Sequence, residues 1–249
     1  MARDERPLSA VPRSVVVMLA ASLLLQIGWQ SAQPRPVARA EALEPPPPLP
    51  VLRAASFGEQ VGLAQMLTLY LQAFDNQPGI SIPFMQLDYP RVAQWLDAIL
   101  DLDPLTQYPL LMASQLYGQV PDEARTRYMF EFVYRRFLED PNRRWRWLAH
   151  ASLASKHRLK DLPLAMKYAR AIADNAPQAL AWARQLHIIL LEDMGEIESA
   201  KILIGGLLDS GQIKDPYELR FLLDRLELLE KKDEKSSSPS KIRPKSPGG

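Results

Sequence analysis

Arg158-Leu-Lys-Asp-Leu-Pro-Leu-Ala165 is followed 35 residues later by Asp193-Met-Gly-Glu-Ile-Glu-Ser-Ala200. In each, a short turn leads into a helical pattern whose early alanine lies one turn in, where only a small side chain lets the preceding helix approach closely. Self-similarity at a period in the mid-thirties marks stacked helical hairpins. Residues 158–211 therefore read as two helix-turn-helix units. The pattern predicts Ala165 and Ala200 at helix crossings, Gly195 at a helix stop and Pro177 just past a helix end.

Gly195-Glu196-Ile197-x-x-Ala200 and Leu164-Ala165-x-x-Tyr168-x-x-Ala171 ending at Pro177 resemble the tetratricopeptide repeat, whose second helix follows Gly-Asp-Tyr-x-x-Ala and ends in an acid and proline. Asp103-Pro104 and Asp140-Pro141 end two earlier helices, and the three prolines stand 37 and 36 residues apart. The family repeats at about 34, so these units are degenerate. The resemblance covers roughly residues 90–211. It implies a solenoid that works by holding other proteins, and it is silent on which ones.

Working outward, helical patterns occupy 57–76, 90–102, 108–118, 122–139, 143–156, 162–175, 178–194 and 196–210. A capping helix starts at Asp215-Pro216 and runs to about Lys231. Its leucines 219, 222, 223, 226 and 229 form the expected inner face, with Glu218, Arg220, Asp224, Arg225 and Glu230 toward water. Residues 57–231 thus form an all-α, tetratricopeptide-like α-solenoid of about nine helices. Glycines 118, 195 and 211 stand where helices stop. The apolar connection 77–89 either tucks back onto the first helices or presents a contact surface.

Before the solenoid, Ser14 to Ala32 is a 19-residue, mostly apolar run, which makes roughly 28 Å of helix at 1.5 Å per residue. It reads as a transmembrane signal anchor, and Arg3, Arg6 and Arg13 place residues 1–13 in the cytoplasm. In a bacterium this gives a single-pass inner-membrane protein with its C-terminal domain in the periplasm. The alternative is a cleaved signal, with Ala38-Arg-Ala40 as the small-x-small site. Residues 33–56, with Pro34, Pro36, the run Pro45 to Pro48 and Pro50, read as a semi-rigid polyproline II linker, or as a proline-rich ligand for another domain. Residues 232–249 are a basic tail too polar to order itself.

Composition narrows function. A net charge of +1 over 249 residues gives no basic balance for nucleic-acid binding, and the absence of cysteine removes disulfides, thiolate zinc sites and a cysteine nucleophile. His150 and His157 lie two helical turns apart, roughly 10.5 Å, too far to share one metal ion. No glycine-rich phosphate loop or nucleophile–base arrangement is present, so no cofactor and no catalytic residue are assigned.

One cluster stands out. Arg125, Arg127, Arg135, Arg136, Arg143, Arg144 and Arg146 fall within 22 residues and are interleaved with Trp145 and Trp147. Trp147 sits near the large aromatic position of a repeat and is expected in the core. Arg135, Arg136, Arg143, Arg144, Trp145 and Arg146 are the candidate partner-binding residues, for an acidic peptide or anionic lipid, the alternative being a solvated face whose arginines pair with Glu131, Glu139 and Asp140. The function expected is a non-enzymatic, membrane-anchored scaffold for protein–protein contacts. The rival is a secreted periplasmic binder of a small molecule or cell-wall fragment.

Overall fold

The computed structural model describes residues 11–33, 40–211, 213 and 215–237, with side chains described through 232. The described chain is mostly helical, with one two-stranded pairing of Asn76–Gln77 and Ile80–Ser81. The helices are α1 (Arg13–Ala32), α2 (Leu49–Ala55), α3 (Gln60–Ala73), α4 (Tyr89–Leu102), α5 (Tyr108–Leu111), α6 (Glu123–Glu139), α7 (Pro141–His157), α8 (Leu162–Asn175), α9 (Ala181–Arg184), α10 (Leu186–Asp193), α11 (Ile197–Asp209) and α12 (Pro216–Ser237). Two compact units result. The smaller comprises the described residues up to Glu41 with Gln77–Ser81, and the larger comprises Ala42–Asn76 with the described residues from Ile82 onward.

In the smaller unit, α1 is 20 residues long, buries none of its side chains, and is long and apolar enough to cross a membrane. Arg3, Arg6, Pro34, Pro36 and most of the small-x-small site lie outside the described residues.

In the larger unit, several helices start on a local device. Asp88, Asp122 and Asp161 cap α4, α6 and α8 by accepting the backbone N–H of Arg91, Arg125 and Leu164 at 2.9–3.1 Å. Proline fills the first turn of α5, α7 and α12, where its missing N–H costs nothing. From α6 on, helices pack on their sequence neighbours, as α4 does on α5, and α4 on α6, α5 and α9 on α7, and α8 on α10 also touch. Side-chain bridges carry the same spacing. Arg135 and Arg136 reach Asp97, Lys167 reaches Glu131, Trp147 reaches Gln107, Lys156 reaches Asp193 and Arg225 reaches Glu192, all across 33–40 residues.

Helix α8 keeps its expected bounds and joins two cores. Tyr168, Ala171 and Ile172 belong to a core reaching from Leu43 to Ala183, while Ala165, Met166 and Ala169 belong to a second core reaching to Leu229. Its partner α7 buries Ala149, Ala151, Ser152, Ala154 and Ser155, so the two backbones come close, and the buried Ser152 hydroxyl donates to the Ala165 carbonyl at 2.8 Å. Ala165 and Ala200 are both fully buried. Replacing either with leucine should overpack its crossing and cost roughly 1 to 3 kcal/mol. Thermal melting checks this, and unchanged midpoints in both variants would remove the crossing argument. Gly195 holds a φ of +79°, the left-handed turn that glycine allows, and Pro177 follows the end of α8 on the surface.

Several expectations are corrected. The linker is not free along its length, because Leu43 and Leu52 are buried, the Trp95 indole donates to the Glu44 carbonyl at 2.8 Å, and residues 49–55 form α2 against α4. The connection 77–89 supplies core side chains, Ile82 and Leu87 being buried, and Phe84 stacks edge-on against Tyr117. Gly118 is no left-handed stop. A Cβ there would lie 2.8 Å from both the Ala113 carbonyl and the Phe130 ring, so its role is close approach at a turn that follows a π-helical segment, Met112–Leu116. The expected helix 178–194 is broken at Gln185, whose buried amide donates to Glu218 at 2.8 Å. Helix α12 continues past Lys231 to Ser237 and is turned from the expected face. Glu218 is buried on Arg184 and Arg225 clamps Glu192, leaving Leu219 and Leu223 exposed.

Candidate binding site

The arginine cluster divides in two. Arg136, near the end of α6, points back at α4, where Asp97 and Asp101 stand one turn apart on the packing face. Its guanidinium lies 2.6 Å from Asp97, 3.0 Å from Asp101 and 3.0 Å from Glu139. Burial works against that charge, but Asp97, Glu139 and Asp101 overcome it and hold the Arg136 pKa above its ordinary value. Arg144, only 3% exposed, donates to the Arg136 carbonyl at 2.6 Å, Glu139 at 2.9 Å and the Pro104 carbonyl at 3.2 Å. Burial tends to raise the Glu139 pKa, and the bonds from Arg136 and Arg144 outweigh that and keep it low. Arg135 pairs with Asp97 at 2.9 Å from a more exposed position. Arg136 and Arg144 are therefore withdrawn from any partner surface. They tie α4, α6 and α7 together.

Arg143 and Arg146 face outward instead. Arg143 meets Asp140 at 3.0 Å with about half of its side chain exposed. Arg146 lies 5.4 Å from the Trp145 ring centre and, among the described residues, has no carboxylate within ion-pair distance. Together with Gln107, Asn142, Trp145 and Trp147 they line a cleft of about 560 Å³ where α7 begins. The Trp147 indole donates to Gln107 Oε1 at 2.7 Å, and Asn142 accepts the Gln178 N–H at 3.0 Å. The tryptophan roles are the reverse of those expected. Trp145 is 5% exposed, edge-on to Trp182 at 5.7 Å, whereas Trp147 is half-buried at the cleft wall. The helix starts at Pro141 rather than at 143, Trp145 meets Trp182 of α9, and Trp147 still packs against the core from the cleft wall.

Two further clefts flank this one. One of about 470 Å³ lies between α3 and residues 103–108, with Leu69, Gln72, Ile99, Thr106 and Tyr108 in its wall, and Gln72 hydrogen-bonds Tyr108. The other, about 260 Å³, lies between α9–α10 and the start of α12, with Trp182, Gln185, Ile189, Tyr217 and Phe221. The linings adjoin without sharing a residue: Gln107 lines the cleft where α7 begins while its neighbours Thr106 and Tyr108 line the one at α3, and Trp145 of the former meets Trp182 of the one at α9–α10 edge-on. Each contains an aromatic ring four or five residues after a proline in the connection between helices or at the next helix start: Tyr108 after Pro104, Trp145 after Pro141, Trp182 after Pro177, Phe221 after Pro216. That phase was present in the sequence, 37, 37 and 39 residues apart, and the proline spacing alone did not reveal it. The linings also carry Asp103, Asp140, Asp215 and Glu218, and their rings combined with side-chain amides suit an extended chain better than a catalytic centre.

Among the described residues no three His, Cys, Asp or Glu side chains gather to hold a metal ion. His150 and His187 lie apart on α7 and α10. Burial lowers both of their pKa values, with Arg158 adding to the effect at His150. Compared with protein-family models, curated proteins and solved structures, the chain matches none.

Proposed function

We propose that the chain is a membrane-anchored scaffold of tetratricopeptide type, whose row of clefts holds an extended segment of a partner protein with an acidic residue opposite Arg143 and Arg146. The observation that carries this reading is the series of three clefts with adjoining linings, each with its ring at the repeat phase. Packing of helices on next-but-one neighbours, and bridges across 33–40 residues, support a solenoid, whose repeats meet only those nearby. The anchor would be α1, with Arg13 on the cytoplasmic side and the larger unit in the periplasm if the chain is bacterial. The rival, a secreted binder of a cell-wall fragment, draws on the same rings and amides, since planar rings also stack on sugars.

Reversing both Arg143 and Arg146 to glutamate should leave helicity and melting nearly unchanged, because neither is buried. The double variant should lose a salt-sensitive partner captured from membranes by the unmodified chain. Retention of every partner at low salt by a folded double variant would sink the acidic-segment reading. Loss of binding to anionic vesicles with partner capture intact would point to lipid instead.

A further inference from the structure

The proline run that the sequence offered as a ligand is displayed in a recognisable form. Leu43 is buried and the Glu44 carbonyl accepts from the Trp95 indole, so the start of the run is pinned, and α2 pins its end at Leu49. Between these anchors Pro45, Pro47 and Pro48 are exposed, and Pro48 has φ −55° and ψ 144°, inside the polyproline II region. A ligand already held in its bound shape loses little entropy on docking. The run lines none of the clefts of its own chain.

We propose that residues 44–48 of one copy dock in the aromatic clefts of a second copy, a head-to-tail contact between identical chains. This rests on the reading of the clefts as sites for an extended segment. Three arguments point to that occupant. Polyproline II segments are recognised by aromatic-lined grooves, and these clefts present Tyr108, Trp182 and Phe221 partly exposed. Prolines 45–48 extend about 12 Å at about 3.1 Å per residue, and packed helices stand about 8 to 10 Å apart, so a docked run would reach across two successive members of the series α5, α7 and α9, which touch in sequence. Glu44 supplies an exposed acid next to the prolines, complementary to Arg143 and Arg146. The contact is heterologous, so it joins two different surfaces and leaves one of each free on every dimer.

The test uses the full chain in detergent micelles. Sedimentation at rising concentration should show association in the unmodified chain and none in either Trp182→Ala or the triple change Pro45→Ser, Pro47→Ser, Pro48→Ser. Mixing these two variants should restore a heterodimer that stops at two copies, because one retains an intact cleft and the other an intact run. A synthetic peptide of residues 41–52 should change tryptophan fluorescence of the unmodified chain and bind about tenfold more weakly to Trp182→Ala, the loss of about 1.4 kcal/mol expected for one stacking ring. Phe221→Ala serves as a second cleft variant if Trp182→Ala loses its helical spectrum. A chain that remains monomeric and ignores the peptide overturns the proposal, as does binding of a linear N-acetylglucosamine oligomer without the peptide. If in that case the Arg143 and Arg146 variant still loses its membrane partner, self-recognition fails while the scaffold reading stands.

Discussion

Arg144→Ala is expected to cost roughly 2 to 5 kcal/mol of unfolding free energy, the range for leaving two buried carbonyls without their donor, since Glu139 keeps its pair with Arg136. The Arg144 guanidinium is 3% exposed and joins three elements at once: the end of α6 through the Arg136 carbonyl and Glu139, the segment after α4 through the Pro104 carbonyl, and its own helix α7. Removing it leaves two carbonyls short of a donor and opens a hole between those helices. Arg143→Ala, one residue away, gives up only an exposed pair with Asp140 and should cost less than about 1 kcal/mol. Urea unfolding of the two variants side by side makes the measurement. Equal losses would mean that the buried network contributes no more than the surface pair.

The second large effect concerns the N-terminal edge of the larger unit. A chain beginning at Ser56 lacks Leu43 and Leu52, both buried, and strips the Trp95 indole of its carbonyl acceptor. Burial of a leucine contributes roughly 1.5 to 3 kcal/mol, so the shortened chain should be less stable by several times thermal energy than one beginning at Glu41. It should also show more apolar surface, since the outer side of α3 already exposes Val61, Met66 and Leu69. Melting both in the same buffer decides the matter. Coincident curves would restore the view that the proline segment is a mere tether.

How much of this was readable from residues alone differs by scale. Within one helix, period and caps sufficed: α8 keeps the bounds read from its pattern, and Gly195 takes the left-handed turn that its position demanded. Between helices one repeat apart, sequence proximity misled. The arginine cluster looked unneutralised because only Glu139 and Asp140 were near, whereas Asp97 and Asp101 lie almost forty residues back and one packing layer away. The same distance hid the clefts, whose walls come from the starts of successive helices. Helix α2 was missed because prolines 45–48 and 50 dominate its neighbourhood, although proline at a first turn is compatible with a helix starting there. The break at Gln185 depends on Glu218, 33 residues on, which no local pattern reports.

The double allegiance of α8 sets how the larger unit comes apart. Because Ala165, Met166 and Ala169 serve one core while Tyr168, Ala171 and Ile172 serve the other, α10, α11 and α12 can detach together in a partial opening that exposes only one side of α8. The remaining core still clamps the other side. Amide hydrogens along α8 then exchange only through openings that release both cores, whereas those of α12 exchange through the shallower one. This gives the larger unit a fraying end and a fixed middle: a protease or an unfolding force working inward from α12 meets its first real barrier at the helix that the two cores share.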